Sequence, residues 1–328
     1  MDQVDGTEVI RAGCFMKVAS QSLSLSYGRL LGRVFKEFQP DVVIFHYPNP
    51  FVAYFLLREL KKYPRCKLVT YWHLDITKQK ILGKFFNRQT KNLLSRSAKI
   101  VATSPNYIEG SKFLPFFREK CIVIPNCVTE SRMNVTEEDV KRGEEIRAKY
   151  QGKTICYAMG RHVPYKGMEY LVRASRYLDD SFAVLIAGQG ELTESLKALA
   201  AEDKKVEFLG RVSDEQANAY ISACDIFCFP SVTKNEAFGL ALAEAMYQAK
   251  PAVTFTIEGS GVNYVSLNGV TGIEVENKNA RAYAEAIEKL AKDEALRIRY
   301  GKAAKERVEE NFTFNRFVDN IVNLTDSL

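Results

Sequence analysis

No run of apolar residues in this chain approaches the eighteen or so that a membrane-spanning helix requires. The longest near the front, Phe51 to Leu57, falls far short. Basic residues are missing from the extreme amino terminus, which reads Met1-Asp2-Gln3-Val4-Asp5. No apolar stretch follows them as a secretory leader would require, so secretion is not expected. The 7 cysteines are odd in number and scattered through strand-like segments. Cys224 and Cys228 form a CxxxC without a second pair or a nearby histidine, which argues against a zinc site or a disulfide framework. They read as small buried hydrophobes in a reducing cytosol. Repeats and low-complexity stretches are absent as well.

The chain does have ordinary globular composition: 328 residues, 46% hydrophobic and 26% charged. That length suggests two domains with separate cores. The net charge of +6 is unevenly spread. Residues 1–150 hold 25 of the 46 Lys and Arg and 15 of the 40 Asp and Glu, leaving 21 against 25 in 151–328. A basic half beside an acidic one suggests two jobs, the basic half facing something anionic.

Short β-branched runs alternate with helical patterns along nearly the whole chain, as in parallel α/β proteins. Strands are expected at 42–45, 67–72, 99–103 and 121–124, with helices near 27–38, 51–62 and 78–96. In the second half strands are expected at 154–159, 183–187, 206–209, 226–229, 252–255 and 272–275. Helices near 167–177, 191–202, 214–222, 239–248 and 279–291 separate them. This divides the chain into an amino-terminal domain (1–128), a charged helical linker (129–151), a second domain (152–312) and a last helix (313–328), which could pack back on the first domain. Open parallel sheets bind ligands beyond the carboxyl ends of their strands, so the chemistry belongs in loops that follow strands.

Three such loops stand out. Gly160 to Gly167 follows a strand and carries Arg161 and Lys166 on either side of Pro164, an arrangement that can clamp a diphosphate. Taken alone, it reads more readily as a basic surface loop. Glu236 to Glu244 follows the strand at 226–229. It places Glu236 in the loop, Gly239 at the mouth of an alanine-rich helix and Glu244 one to two turns into it. The free N–H groups near Phe238 and Gly239 suit phosphate or sugar oxygens. A carboxylate at Glu244 suits a vicinal diol such as ribose, and it sits awkwardly among apolar neighbours without a partner. Gly188-Gln189-Gly190-Glu191 is most of a dinucleotide fingerprint. However, the third glycine position is Thr193, and Glu207 falls inside its strand, so this is poor evidence for NAD. It fits a close backbone approach to some nucleotide.

In this order, the motifs G-R-x4-K-G, A-G-x-G, F-x-G-R-V-S (Phe208 to Ser213), F-P-S (Phe229 to Ser231) and E-x-F-G-x4-E resemble the donor-binding half of family 4 glycosyltransferases. The resemblance continues into Gly269-Val270-Thr271-Gly272 and covers most of residues 121–312. It implies the GT-B fold: two doubly wound Rossmann-like domains facing across a cleft. It also implies retaining transfer of one sugar from a UDP- or GDP-sugar to a glycan or lipid-linked acceptor. By resemblance, Arg161 and Lys166 hold the diphosphate, and Gly188 lets the backbone approach the nucleotide. Glu244 binds the ribose, backbone around Val212 reads the base, and Glu236 with the Phe238–Leu240 backbone, through Gly239, binds the sugar. His73, in Thr70 to Asp75, matches the family's histidine loop and would hydrogen-bond the donor sugar or departing phosphate. With Glu236 it is the candidate catalytic residue, and His46 is a lesser candidate for the acceptor side. A helix-capping loop with an incidental histidine is the lesser alternative for 70–75. No metal or other cofactor is implied, and no Asp-x-Asp occurs.

One departure matters. The family's first domain opens with a strand, a glycine-rich loop and further βα units before anything like Val4-Asp5-Gly6. An incomplete first domain is therefore expected, short of roughly two or three units of about thirty residues each. A misplaced start codon, a shortened version or a truncated gene would each account for it. In the last case exposed sheet edges and poor activity follow.

Within 78–96, Lys80, Lys84, Arg88 and Lys91 share one helical face, and Leu82, Phe86 and Leu93 another. Such a helix can lie on an anionic bilayer, at about 1 kcal/mol per basic residue near the surface. It can equally be a solvated face packed on a sheet. Nucleic acid is not expected, since aromatics are not interleaved as a stacking platform. The expectation is a cytoplasmic enzyme of polysaccharide or glycolipid assembly, peripheral at the inner membrane face. Its rivals are a non-catalytic nucleotide-sugar-binding protein, a GT-B sugar-nucleotide epimerase and, last, an NAD oxidoreductase.

Overall fold

Alternation of β-branched runs with amphipathic helices produces two separate parallel sheets. The computed structural model describes residues 2–4, 6–18, 21–76 and 83–328. The chain divides into one unit of residues 1–102, 111–123 and 324–328 and a second of residues 103–110 and 124–323.

In the first unit, strands Val42–Tyr47, Lys67–Trp72, Lys99–Ala102 and Cys121–Val123 neighbour one another in chain order, all parallel. Lys67–Trp72 is buried from its second residue onward, which explains its continuous apolar sequence rather than an alternating one. Tyr47 stacks on Trp72 with ring centroids 3.9 Å apart, and the Trp72 indole N–H donates to Asp75. Helix Pro50–Leu60 starts where Asn49 Oδ1 accepts the Val52 N–H at 3.1 Å and proline occupies the first turn. Two antiparallel hairpins, Asp2–Val4 with Thr7–Val9 and Met16–Val18 with Gln21–Leu23, precede this sheet and were not expected from the sequence. Three-residue strands are too short to carry a period-2 pattern. Of the helix expected over 78–96, the described part is Gly83–Arg96. Lys80, Leu82 and the side chain of Lys84 lie outside the described residues. Arg88 and Lys91 are exposed, Phe86 is half-buried and Leu93 is buried.

The second unit holds six parallel strands in the order Val206–Gly210, Phe182–Ala187, Thr154–Met159, Ile226–Phe229, Ala252–Phe255 and Gly272–Val275. Chain order therefore runs outward from Thr154–Met159 in one direction and then resumes at Ile226–Phe229 in the other. That is the doubly wound arrangement, and its crevice opens beyond the carboxyl ends of those two strands. Tyr157, Phe227, Phe255, Tyr283 and Phe312 are buried in its core. Residues 129–151 contain helices Glu130–Met133 and Glu137–Lys149. The second begins at a Thr136/Asp139 capping box. Arg147 pairs with Asp225, whose other oxygen accepts the Ile155 N–H at 2.8 Å, so this helix is tied to the first strand of the second unit. The chain ends in helices Glu294–Asn311 and Phe314–Asp326. All seven cysteines are free; Cys66, Cys156, Cys224 and Cys228 are buried, and Cys14 is exposed.

Candidate functional site

A pocket of about 1100 Å³ opens at the switch point of the second unit. It is lined by loops that follow three neighbouring strands, and among its residues are Arg161, Lys166, Gly188, Val212 and Glu244. The loops touch backbone to backbone. Gly188 has φ +118°, and a Cβ placed on it would lie 1.9 Å from the Gly160 carbonyl oxygen. Gly167, at φ +61°, comes as close to Pro230, where a Cβ would meet the carbonyl oxygen at 2.1 Å. Only glycine permits both the left-handed backbone and the contact.

Arg161 is exposed at the rim, and its guanidinium donates to the Tyr165 hydroxyl at 3.1 Å. Lys166 ends a single 3-10 turn, Pro164–Lys166, with Gly167 between it and helix Met168–Ser175. Its ammonium lies 2.5 Å from Glu236 Oε2, which also accepts the Ser231 hydroxyl at 3.0 Å. The Lys166 and Glu236 side chains are only 13% and 11% exposed. A cation that can hold phosphate and a carboxylate that can hold sugar hydroxyls are thus one ion pair from two loops. Gly239, at φ +94°, is the N-cap of helix Leu240–Tyr247. Phe238 is buried in the core, and it is Ala241, one residue past Leu240, that lines the pocket beside Glu244. Glu236, Phe238, Gly239 and Leu240 are not among the pocket-lining residues.

Glu244 is half-buried in the pocket wall, and its carboxylate makes no hydrogen bond or ion pair among the described residues. Burial pushes its pKa up, with Arg132 opposing, Asp214 adding to the rise and Lys166 opposing. A carboxyl with a folded pKa above its unfolded one stabilises the fold at low pH. That contribution is lost as pH rises from the ordinary carboxylate value through the raised one. At neutral pH, Glu244→Gln should therefore raise the melting temperature of the ligand-free protein while weakening nucleotide binding, and the gain should vanish below the ordinary carboxylate pKa. A thermal scan at two pH values beside a binding titration checks both. A residue that stabilises when removed but is needed for ligand is a binding residue.

Sequence reasoning passed over His162. It is buried, its N–H donates to the Gln189 carbonyl at 3.1 Å, and its own carbonyl accepts the Leu192 N–H at 3.0 Å. Its Nδ1 lies 3.0 Å from Thr193 Oγ1. His162 thereby straps the Arg161 loop to the Gly188–Thr193 loop. Arg132 and Asp214, paired at 2.6 Å, and Lys197 and Arg211 also line the pocket and were not singled out. Glu207, the acid of the incomplete dinucleotide fingerprint, is taken up by Lys149 at 2.7 Å and Tyr150 at 2.6 Å.

In the first unit, His73 and His46 come together, with His46 Nδ1 2.8 Å from His73 Nε2. Burial and then the neighbouring His46 push the His73 pKa down to about 4, and burial also lowers that of His46. Asp75 is buried and accepts from the Ser111 hydroxyl at 2.7 Å and the Lys112 N–H at 3.0 Å, which fixes the end of the histidine loop.

Two parallel α/β units, the second with a cation-bearing pocket at its switch point, agree with the GT-B fold expected from the sequence. The family model described as Glycosyl transferases group 1 matches residues 139–307, and that described as Glycosyltransferase Family 4 matches residues 4–132. The chain belongs to this family of glycosyltransferases. It is 33% identical to the D-rhamnosyltransferase WbpZ of Pseudomonas aeruginosa, over 94% of this chain and 78% of that protein. It is 29% identical to the O-antigen chain mannosyltransferase C of Escherichia coli, over 88% of this chain and 76% of the relative. The structure of Anabaena Alr3699/HepE in complex with UDP superposes with a TM-score of 0.79 at 18% identity, covering 92% of this chain and 82% of the other. No described helix is long and apolar enough to cross a membrane.

Proposed function

We propose that this glycosyltransferase transfers a single sugar from a UDP- or GDP-sugar, with retention of configuration, to a glycan or lipid-linked acceptor in polysaccharide or glycolipid assembly. The observation that carries this reading is the convergence of Arg161, Lys166 and Glu244 on one pocket at the switch point. Arg161 and Lys166 neutralise the leaving diphosphate in place of a metal, and Glu244 takes the ribose hydroxyls. Backbone around Val212 reads the base. Glu236 binds the donor sugar, and His73 donates to the sugar or to the departing phosphate. The rhamnosyl- and mannosyltransferase relatives support sugar transfer in surface-polysaccharide assembly, and the UDP complex supports a nucleoside diphosphate in the pocket. Peripheral attachment at the inner membrane face rests on the exposed Arg88 and Lys91 of the basic helix.

Calorimetric titration of UDP and GDP into the wild type and Glu244→Ala tests the donor site. One nucleotide should bind saturably, and the variant should bind it at least tenfold more weakly, a loss of about 1.4 kcal/mol. Equal affinity in the variant would remove Glu244 from the site. Binding of neither nucleotide would overturn the reading of the pocket.

A further inference from the structure

Glu236 stands in the loop after strand Ile226–Phe229, which pairs in parallel with Thr154–Met159 on one side and with Ala252–Phe255 on the other. The loops that leave these three neighbouring strands meet around it. Lys166, from the loop after Thr154–Met159, lies against Glu236 Oε2, and the Ser231 hydroxyl donates to the same oxygen. Glu236 Oε1 accepts no hydrogen bond among the described residues. One oxygen of the carboxylate is thus committed to the protein and the other is not.

The third loop acts on the main chain. Ser260 is fully buried, and its hydroxyl donates to the Glu236 carbonyl while accepting the Val262 N–H at 3.2 Å. A carbonyl oxygen can only accept, so chemistry alone fixes the direction of the first bond. One residue on, Gly261 packs so closely that a Cβ on it would lie 2.1 Å from the Ala237 carbonyl oxygen. This loop has its own anchor in Asn263, whose Oδ1 accepts the Ile257 N–H at 2.8 Å and whose Nδ2 donates to the Phe255 carbonyl at 3.0 Å. Ser260 is therefore tied to strand Ala252–Phe255, and through Ser260 so is the Glu236 carbonyl. The Glu236 N–H donates to the Thr233 carbonyl at 3.0 Å. Glu236 is held at both ends, its main chain by Ser260 and one carboxylate oxygen by Lys166 and Ser231. A side chain held in this way has little freedom left to lose when a ligand engages it.

We propose that Ser260 is a positioning residue for Glu236: it sets the main chain from which the carboxylate is presented, and so governs what the donor sugar adds to binding while leaving the nucleotide's own contribution alone. This rests on the reading of Glu236 as the donor-sugar ligand given above.

Calorimetric titration of the full-length protein with UDP, UDP-glucose, GDP and GDP-mannose tests it. The quantity read is the ratio of the dissociation constant of the free nucleotide to that of its sugar conjugate. For the nucleotide that the wild type binds, Ser260→Ala should leave the affinity for free nucleotide unchanged and lower this ratio about fivefold, the scale of one hydrogen bond. Ser260→Cys, which keeps the size and a weak donor, should recover part of the loss, and it carries the test if the alanine variant does not fold. Glu236→Gln should lower the ratio at least as far. Adding Ser260→Ala to it should lower the ratio no further, as expected of two residues acting through one contact. Equal weakening of nucleotide and conjugate, or a ratio that the Ser260 variants leave unchanged, overturns the proposal. So does the same fivefold loss in the Glu236→Gln background, which would leave the reading of Glu236 intact. A ratio that Glu236→Gln itself does not move would remove Glu236 from the sugar site, and the role of Ser260 would fall with it.

Discussion

Lys166→Ala should lower the rate of sugar transfer by about a hundredfold to a thousandfold, the loss usual when one preorganised partner of a developing negative charge is removed. Lys166 reaches the pocket from a loop pinned against Pro230 by Gly167. The same substitution strands Glu236. Its carboxylate is 11% exposed and would keep the Ser231 hydroxyl as its hydrogen-bond donor. Breaking a buried pair from one side costs roughly 3 kcal/mol, and the variant should melt correspondingly early. The double variant Lys166→Met, Glu236→Gln separates the two effects. It should recover most of the stability and none of the activity, as read by denaturant unfolding beside a transfer assay. Recovery of activity together with stability would mean that Lys166 only supports the fold.

The second large effect is expected at a residue with no side chain. Gly188→Ala places a methyl group 1.9 Å from the Gly160 carbonyl oxygen, at a φ of +118° that alanine avoids. Both neighbours are main chain, so relief requires separating the ends of strands Thr154–Met159 and Phe182–Ala187, which are paired along their full length. Backbone strain of about 1–3 kcal/mol adds to an overlap that costs about as much again. For a unit of this size each kcal/mol lowers the midpoint by about 2–4 °C. A drop of about ten degrees is expected, with nucleotide binding lost at temperatures where the protein is still folded. A variant that melts like the wild type would show that the two loops are not in contact.

What could be read from the sequence follows from which constraints are local. The strands and helices of the second unit fall close to their expected places because each buried strand is a short apolar run bounded by turn residues. The loop residues Arg161, Lys166 and Gly188 were visible because glycine and charge directly after a strand serve poorly as packing, and Glu244 because a carboxylate stands out among the apolar residues of its helix. The Lys166–Glu236 pair was not visible: its members are far apart in sequence, and only the strand order brings their loops together. His162 was hidden for the opposite reason, since a histidine among Arg161, Val163 and Pro164 looks like surface, while its work is done by main-chain bonds to Gln189 and Leu192. His46 was ranked below His73, although a parallel register ties the two. The hairpins within residues 2–23 have no periodic signal at all.

The strand order of the second unit has a thermodynamic corollary. Arg161, Gly188 and Val212 follow strands on one side of the switch point, while Glu244 follows the first strand on the other side. Neither half of the sheet can offer the whole ligand contact surface, so a nucleotide distinguishes the joined sheet from any state in which its halves have separated. Ligand at a hundred times its dissociation constant then adds about 2.7 kcal/mol to the unit as a whole. With the donor bound as proposed, it becomes part of the cohesion between the two halves of the sheet.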